Sequence, residues 1–164
     1  MGTLKYALVL SPSSSGKPFP IEKLIPEIRQ HTANMNVIMS QEIWNQFPED
    51  YKVLGDQTNV VVYQKDPVYN PPFKNCWGVK HDGYILFTAE FVSPEKDTVV
   101  ILDPATERLL DNFSCIHVLQ VKDENEIAGP RPAPMGFIHD GNHEPQVSTH
   151  GLTYEFNYYV RETA

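Results

Sequence analysis

Apolar runs that do not alternate with polar residues set the tightest limit on this fold. Leu4-Lys5-Tyr6-Ala7-Leu8-Val9-Leu10 is one such run, and Val99-Val100-Ile101-Leu102 is a second, strongly β-branched one. A strand that is apolar on both sides has to be covered on both sides, which is the condition of a largely parallel sheet in an α/β protein. Short helical patterns interleave with these runs. Ile21, Leu24, Ile25 and Ile28 fall at i, i+3, i+4 and i+7, the stripe of an amphipathic helix. Pro26 removes a backbone donor and is tolerated only in the first turn, so the helix is expected from about residue 25 to about 32.

Further along, Asn36-Val37-Ile38-Met39 reads as a buried strand, residues 40–47 as a helix with Ser40 at its N-cap, and residues 58–63 as another strand. Residues 65–83, rich in Pro and Asn, are expected to be extended and irregular. Residues 84–87 resume as a strand, 88–92 form one helical turn and 98–102 a strand. Residues 103–110 make a helix with Asp103 at the N-cap and Pro104 at the favoured first position. The strand at 116–121 follows. In residues 152–160, Leu152, Tyr154, Phe156, Tyr158 and Val160 alternate with Thr153, Glu155, Asn157 and Tyr159, which suits an antiparallel strand near the sheet's margin.

At 164 residues the chain can bury roughly 70% of its unfolded surface, enough for one domain over residues 1–164. Its 41% hydrophobic and 11% aromatic content excludes a low-complexity tail. No apolar run approaches the ~20 residues of a membrane-spanning helix, and the apolar stretch from Tyr6 to Leu10 is shorter than a secretory leader needs. Neither membrane association nor secretion is expected. Thirteen Lys and Arg against 21 Asp and Glu give a net charge of −8, which disfavours nucleic acid as a partner. Cys76 and Cys115 lack metal or redox spacing and are expected to be reduced thiols in a cytoplasmic setting.

Other constellations fall short of a site. His139 and His143 stand four apart, but Gly141 between them argues for a polar hairpin connection rather than a metal-binding helix, and His117 and His150 add no ligand spacing. Ser13-Ser14-Ser15-Gly16-Lys17 lacks the first glycine and final hydroxyl of a phosphate-binding loop. Ser11 to Ser15 with His31 have no elbow turn to make a nucleophile and base. The stiff proline-rich stretches around Pro71 and Pro132 read as connectors, or as a recognition surface carrying Tyr69, Phe73 and Trp77.

Several local phrases resemble dihydrofolate reductase. Asn36-Val37-Ile38-Met39-Ser40-Gln41-Glu42-Ile43-Trp44 resembles that family's strand-then-helix segment, and Leu54-Gly55-Asp56-Gln57-Thr58-Asn59-Val60-Val61-Val62 resembles the stretch that follows it. Residues 99–110 stand where the family has a strand, a Gly-Gly pair and a helix, and Tyr154-Glu155-Phe156 is similar to its penultimate aromatic strand. The likeness runs over residues 4–162. It implies an α/β fold with a mixed, mostly parallel central sheet flanked by helices and an antiparallel C-terminal strand.

The resemblance also implies where chemistry would sit, and there the residues depart from it. The acid that holds and helps protonate the pterin falls on Leu24, with Glu22 and Glu27 flanking the apolar stripe. The turns that would seat the pyrophosphate of NADPH read Ser40-Gln41-Glu42-Ile43 and Asp103-Pro104. Gln41 brings no positive charge, Ile43 no hydroxyl and Pro104 no backbone donor, while Asp103 would repel the phosphates. Gln57 replaces the arginine expected for the folate tail. The expectation is therefore a non-catalytic member of the group, with no cofactor, that binds another protein or itself. An apolar residual cleft of Leu24, Ile28, Ile43 and Trp44 with Gln57 at its edge would remain. The competing expectation is a divergent reductase that holds NADPH by other contacts, among them Lys17, Arg29 and Gln57.

Overall fold

The computed structural model describes residues 5–12, 19–33, 35–47, 58–63, 76–80, 97–102, 113–122, 136–142, 146–147 and 151–162. The expected strand at 84–87, helical turn at 88–92 and helix at 103–110 lie outside the described residues, as do Gln57, Tyr69, Phe73, Asp103 and Pro104.

The strands are β1 (Lys5–Ser11), β2 (Asn36–Ser40), β3 (Thr58–Tyr63), β4 (Cys76–Lys80), β5 (Thr98–Leu102), β6 (Cys115–Lys122), β7 (Phe137–Asn142), β8 (Gln146–Val147) and β9 (Thr153–Arg161). They form one nine-stranded sheet in the order β4-β3-β2-β5-β1-β6-β9-β7, with β8 also paired to β9. The pairings from β4 across to β6 are all parallel, and those of β9 with β6, β7 and β8 are antiparallel. This is an α/β fold with a mixed, mostly parallel sheet and antiparallel C-terminal strands. Among the described residues no helix is long and apolar enough to cross a membrane.

The central strands are buried on both sides, as their unalternating composition requires. Leu8 and Leu10 of β1 join Val37, Met39, Val99 and Ile101 in one cluster. Ala7 and Val9 join Ile38, Val100, Leu102, Val118 and Tyr159 in a second cluster on the opposite face. Helices α1 (Ile25–His31) and α2 (Gln41–Trp44) bring Leu24, Ile25, Ile28, Ile43 and Trp44 to the first cluster.

The local starts and stops follow from single residues. Pro26 falls in the first turn of α1, where its missing N–H has no partner to lose, and a separate 3-10 turn over Ile21–Lys23 carries the front of the apolar stripe. The helix ends on Thr32, whose N–H and hydroxyl both donate to the Ile28 carbonyl, at 3.0 and 2.9 Å. Ser40 caps α2 by accepting from the Ile43 N–H at 3.2 Å. The helix stops at Trp44, earlier than expected, and the chain turns so that Phe47 N–H reaches the Trp44 carbonyl and its ring packs in the core.

Three expectations need correction. Cys76–Lys80, inside the stretch read as irregular, is strand β4, and Trp77 lies in it opposite Val60. Sheet pairing with β3 overrode the breaking signals of the surrounding prolines. Residues 139–142 are no hairpin connection but part of strand β7, and Gly141 sits at an irregularity in its pairing with β9. Strand β9 alternates as expected, yet from Glu155 to Tyr159 the set expected to face outward is the more deeply buried one. Glu155, Asn157 and Tyr159 are buried on one face, while on the other Tyr154 is buried and Phe156 and Tyr158 are half-buried. The buried polar side chains Glu155 and Asn157 each have a partner for one atom: Lys122 Nζ lies 3.3 Å from Glu155 Oε1, and Asn157 Nδ2 donates to Gln120 Oε1 at 3.2 Å.

The end of β9 is locked to β7 through Arg161, which donates to the Phe113 carbonyl at 2.6 Å and lies 4.2 Å over the Phe137 ring. Gly136 permits this with φ of +87°, and a Cβ there would stand 3.1 Å from Arg161 Nη1. Gly136→Ala is expected to destabilise the protein by about 1–2 kcal/mol, whereas Gly141→Ala, whose Cβ meets only Tyr158 Cδ2 at 3.9 Å, should change stability by less than about 0.5 kcal/mol. Denaturant titration of the two variants checks the contrast.

Candidate functional site

Helical and strand periodicities build one cavity. Glu27, Gln30 and His31 are spaced at i, i+3 and i+4 on α1, so they share a helix face adjacent to the buried stripe. Tyr154, Phe156 and Tyr158 are spaced by two on β9 and share the sheet face beneath that helix, and Gln146 of β8 closes one side. The cavity holds about 300 Å³ and opens to solvent. Phe156 stacks on the His31 ring at 4.5 Å and 9°, with Tyr154 edge-on to Phe156 at 6.1 Å. Tyr154 OH donates to Gln146 Oε1 at 3.2 Å. Among the described residues, Glu27 Oε1 is buried and accepts no hydrogen bond, and no Lys or Arg lines the cavity.

Behind His31 runs a chain of polar side chains. His31 Nε2 lies 2.9 Å from His117 Nδ1, and His117 Nε2 lies 3.7 Å from Cys115 Sγ. The short contact requires a proton on one of the two facing ring nitrogens and not on the other. His117 is held between the Tyr6 ring at 4.2 Å and the Tyr158 ring at 4.5 Å, and Tyr6 OH donates to Met35 Sδ at 3.2 Å. His117 spends its two nitrogens in opposite directions, so the trio does not converge on one point. No group of three His, Cys, Asp or Glu side chains that could hold a metal occurs among the described residues. Cys115 is a free thiol, and burial, with Asp140 adding to it, pushes its pKa above the ordinary 9.0. It is thus protonated at neutral pH and not poised as a nucleophile.

The residues expected at a residual cleft are elsewhere. Leu24, Ile28 and Ile43 have no exposed surface and Trp44 has 3%, all within the core cluster under α1 and α2. Ser40 spends its hydroxyl on the cap of α2, and Gln41 begins that helix. Trp77 lies in β4, the outermost described strand at the other end of the sheet from β7. The cavity residues were missed because each half of the signal, Glu27 with His31 and the β9 aromatics, has meaning only once α1 is laid over β9. No family model and no curated protein matches this chain.

The buried hydroxyls and thiol fix the pH response. Burial raises the pKa of Tyr6 far above 10.0, with smaller contributions from Cys115, Asp97 and Tyr158. Burial also raises Tyr158, and burial with the Glu27 charge raises Tyr154. Groups that hold their protons more tightly when folded contribute stability below their unfolded pKa and lose it above. The urea midpoint should therefore fall as pH rises through about 9 to 10, the ordinary thiol and phenol values. Tyr6→Phe should flatten that fall, at a cost of under about 1.5 kcal/mol at pH 7 for the lost hydrogen bond.

Proposed function

We propose that this chain is a non-catalytic protein of the dihydrofolate-reductase-like type, which keeps the α/β scaffold and acts by binding another protein or a second copy of itself. The observation that carries this reading is Leu24. The resemblance puts the pterin-holding acid at this position, and here it is a leucine with no exposed surface, packed in the core cluster with Ile28, Ile43 and Trp44. A buried leucine neither accepts the two hydrogen bonds of a pterin nor stabilises its protonation. The mostly parallel sheet closed by antiparallel C-terminal strands agrees with the architecture that the resemblance implies. The free thiol of Cys115 fits a reducing compartment such as the cytoplasm.

A divergent NADPH-dependent dihydrofolate reductase is the second reading, and Glu27 favours it. This carboxylate lies in the first turn of α1, three residues beyond Leu24 at the N-cap, and lines a cavity.

Mixing the protein with NADPH and dihydrofolate and following absorbance separates the two. The expected result is no turnover and no change in Tm with either ligand. A ligand present at 100 times its Kd would add about 2.7 kcal/mol of stability, so an upward shift with NADPH, or turnover abolished by Glu27→Gln, overturns the non-catalytic reading. Light scattering across a concentration series tests self-association.

A further inference from the structure

The cavity between α1 and β9 has the chemistry of an organic-cation site. Glu27 brings a carboxylate to its wall with Oε1 buried and unbonded among the described residues, and no Lys or Arg among the described residues lines the cavity beside it. A carboxylate oxygen shielded from water without a donor is costly, and a ligand donor would relieve that cost. The same charge is felt inside the cavity, since it contributes to holding the Tyr154 hydroxyl protonated.

The remaining walls narrow the choice of ligand. Tyr154, Phe156 and Tyr158 offer ring faces and edges, and the stack of Phe156 on His31 keeps that wall flat. Rings attract a cation whose charge is spread and weakly hydrated, and a planar guanidinium both stacks on such rings and matches a carboxylate with paired N–H groups. The side-chain amides of Gln30 and Gln146 can accept from further N–H groups at the rim. A volume of about 300 Å³ lies at the lower end of small-molecule sites, which suits a compact ligand. The net charge of −8 favours the approach of a cation.

We infer that the Glu27 cavity binds small guanidinium-bearing ligands, with the Glu27 carboxylate as the ion-pair partner and the β9 aromatic rings as the stacking wall. The inference does not rest on the non-catalytic reading, because the cavity residues are distinct from the Leu24 core and from the positions at which NADPH is expected.

Calorimetric titration with agmatine tests it, with n-butylurea as a neutral analogue of similar shape. Wild-type protein should bind agmatine measurably at millimolar concentration or below, should bind it more weakly as NaCl is raised, and should not bind n-butylurea. Glu27→Gln should weaken agmatine binding by about tenfold or more, the scale of a lost charge-assisted hydrogen bond, and Phe156→Leu should weaken it by a smaller factor. Absence of agmatine binding by the wild type, equal binding of n-butylurea, or unchanged affinity in Glu27→Gln would each overturn the inference. The n-butylurea comparison needs no substitution and stands even if a variant fails to fold. Failure here leaves the NADPH result untouched, and turnover with NADPH would leave agmatine binding to be judged on its own titration.

Discussion

Burial of β1 on both faces is the condition on which the other elements depend. Leu8 and Val9 are neighbours in sequence, point to opposite sides of the sheet, and have no exposed surface. Each side chain of that size contributes roughly 1.5–3 kcal/mol when fully buried, so the strand is stable only with β5 and β6 beside it and cover above and below. Parallel pairing on both flanks follows, since β1 matches β5 from Lys5↔Thr98 and β6 from Ala7↔Ile116. The helices are short because their task is limited. Four-residue α2 needs only Ser40 as its cap to lay Ile43 and Trp44 on the first face.

The antiparallel end of the sheet obeys different chemistry. From β6 onward polar side chains enter the interior in matched pairs, Lys122 with Glu155 and Gln120 with Asn157, on the face shared with Tyr159. The opposite face carries His117, Tyr158 and Phe156, which are polarisable or aromatic rather than aliphatic and leave a cavity beneath α1. Aliphatic packing thus gives way to polar and ring contacts at β9, since β6 still contributes Ile116, Val118, Leu119 and Val121 to the two core clusters. A partly hydrated site is tolerated there, whereas the β5-β1 region is close-packed.

What was legible in the sequence reflects how local each cause is. Strands at 36–39, 58–63 and 98–102 follow from β-branched runs, and the start of α1 follows from Pro26. The cap of α2 follows from Ser40, all causes confined to a few neighbouring residues. Strand β4 was hidden because Cys76-Trp77-Gly78-Val79-Lys80 carries a glycine and a lysine and follows a run of prolines, so its strand character comes from pairing with β3. The burial of Glu155 was hidden for a similar reason. Alternation identifies which residues share a face but not which face is covered, and that is decided by what packs over each face, as Tyr159 packs in the second core cluster. The cavity draws on α1 near one end of the chain and β9 near the other, a juxtaposition that no local pattern encodes.

Helix α1 ties these threads together, because its phase decides what each of its faces can do. The stripe that includes Leu24, Ile25 and Ile28 is committed to the core, and a charge there would have to be buried without a partner. Within α1, Glu27 directly precedes Ile28 and is turned by about 100° from it around the axis at 3.6 residues per turn. That is enough to carry Glu27 from the aliphatic core to the aromatic cavity over β9. His31, one turn further on, stays on that same side, where Phe156 covers its ring and His117 meets its Nε2. The helix therefore separates two roles by its own geometry, anchoring the parallel sheet through one stripe and presenting a carboxylate and an imidazole to the antiparallel end through the next.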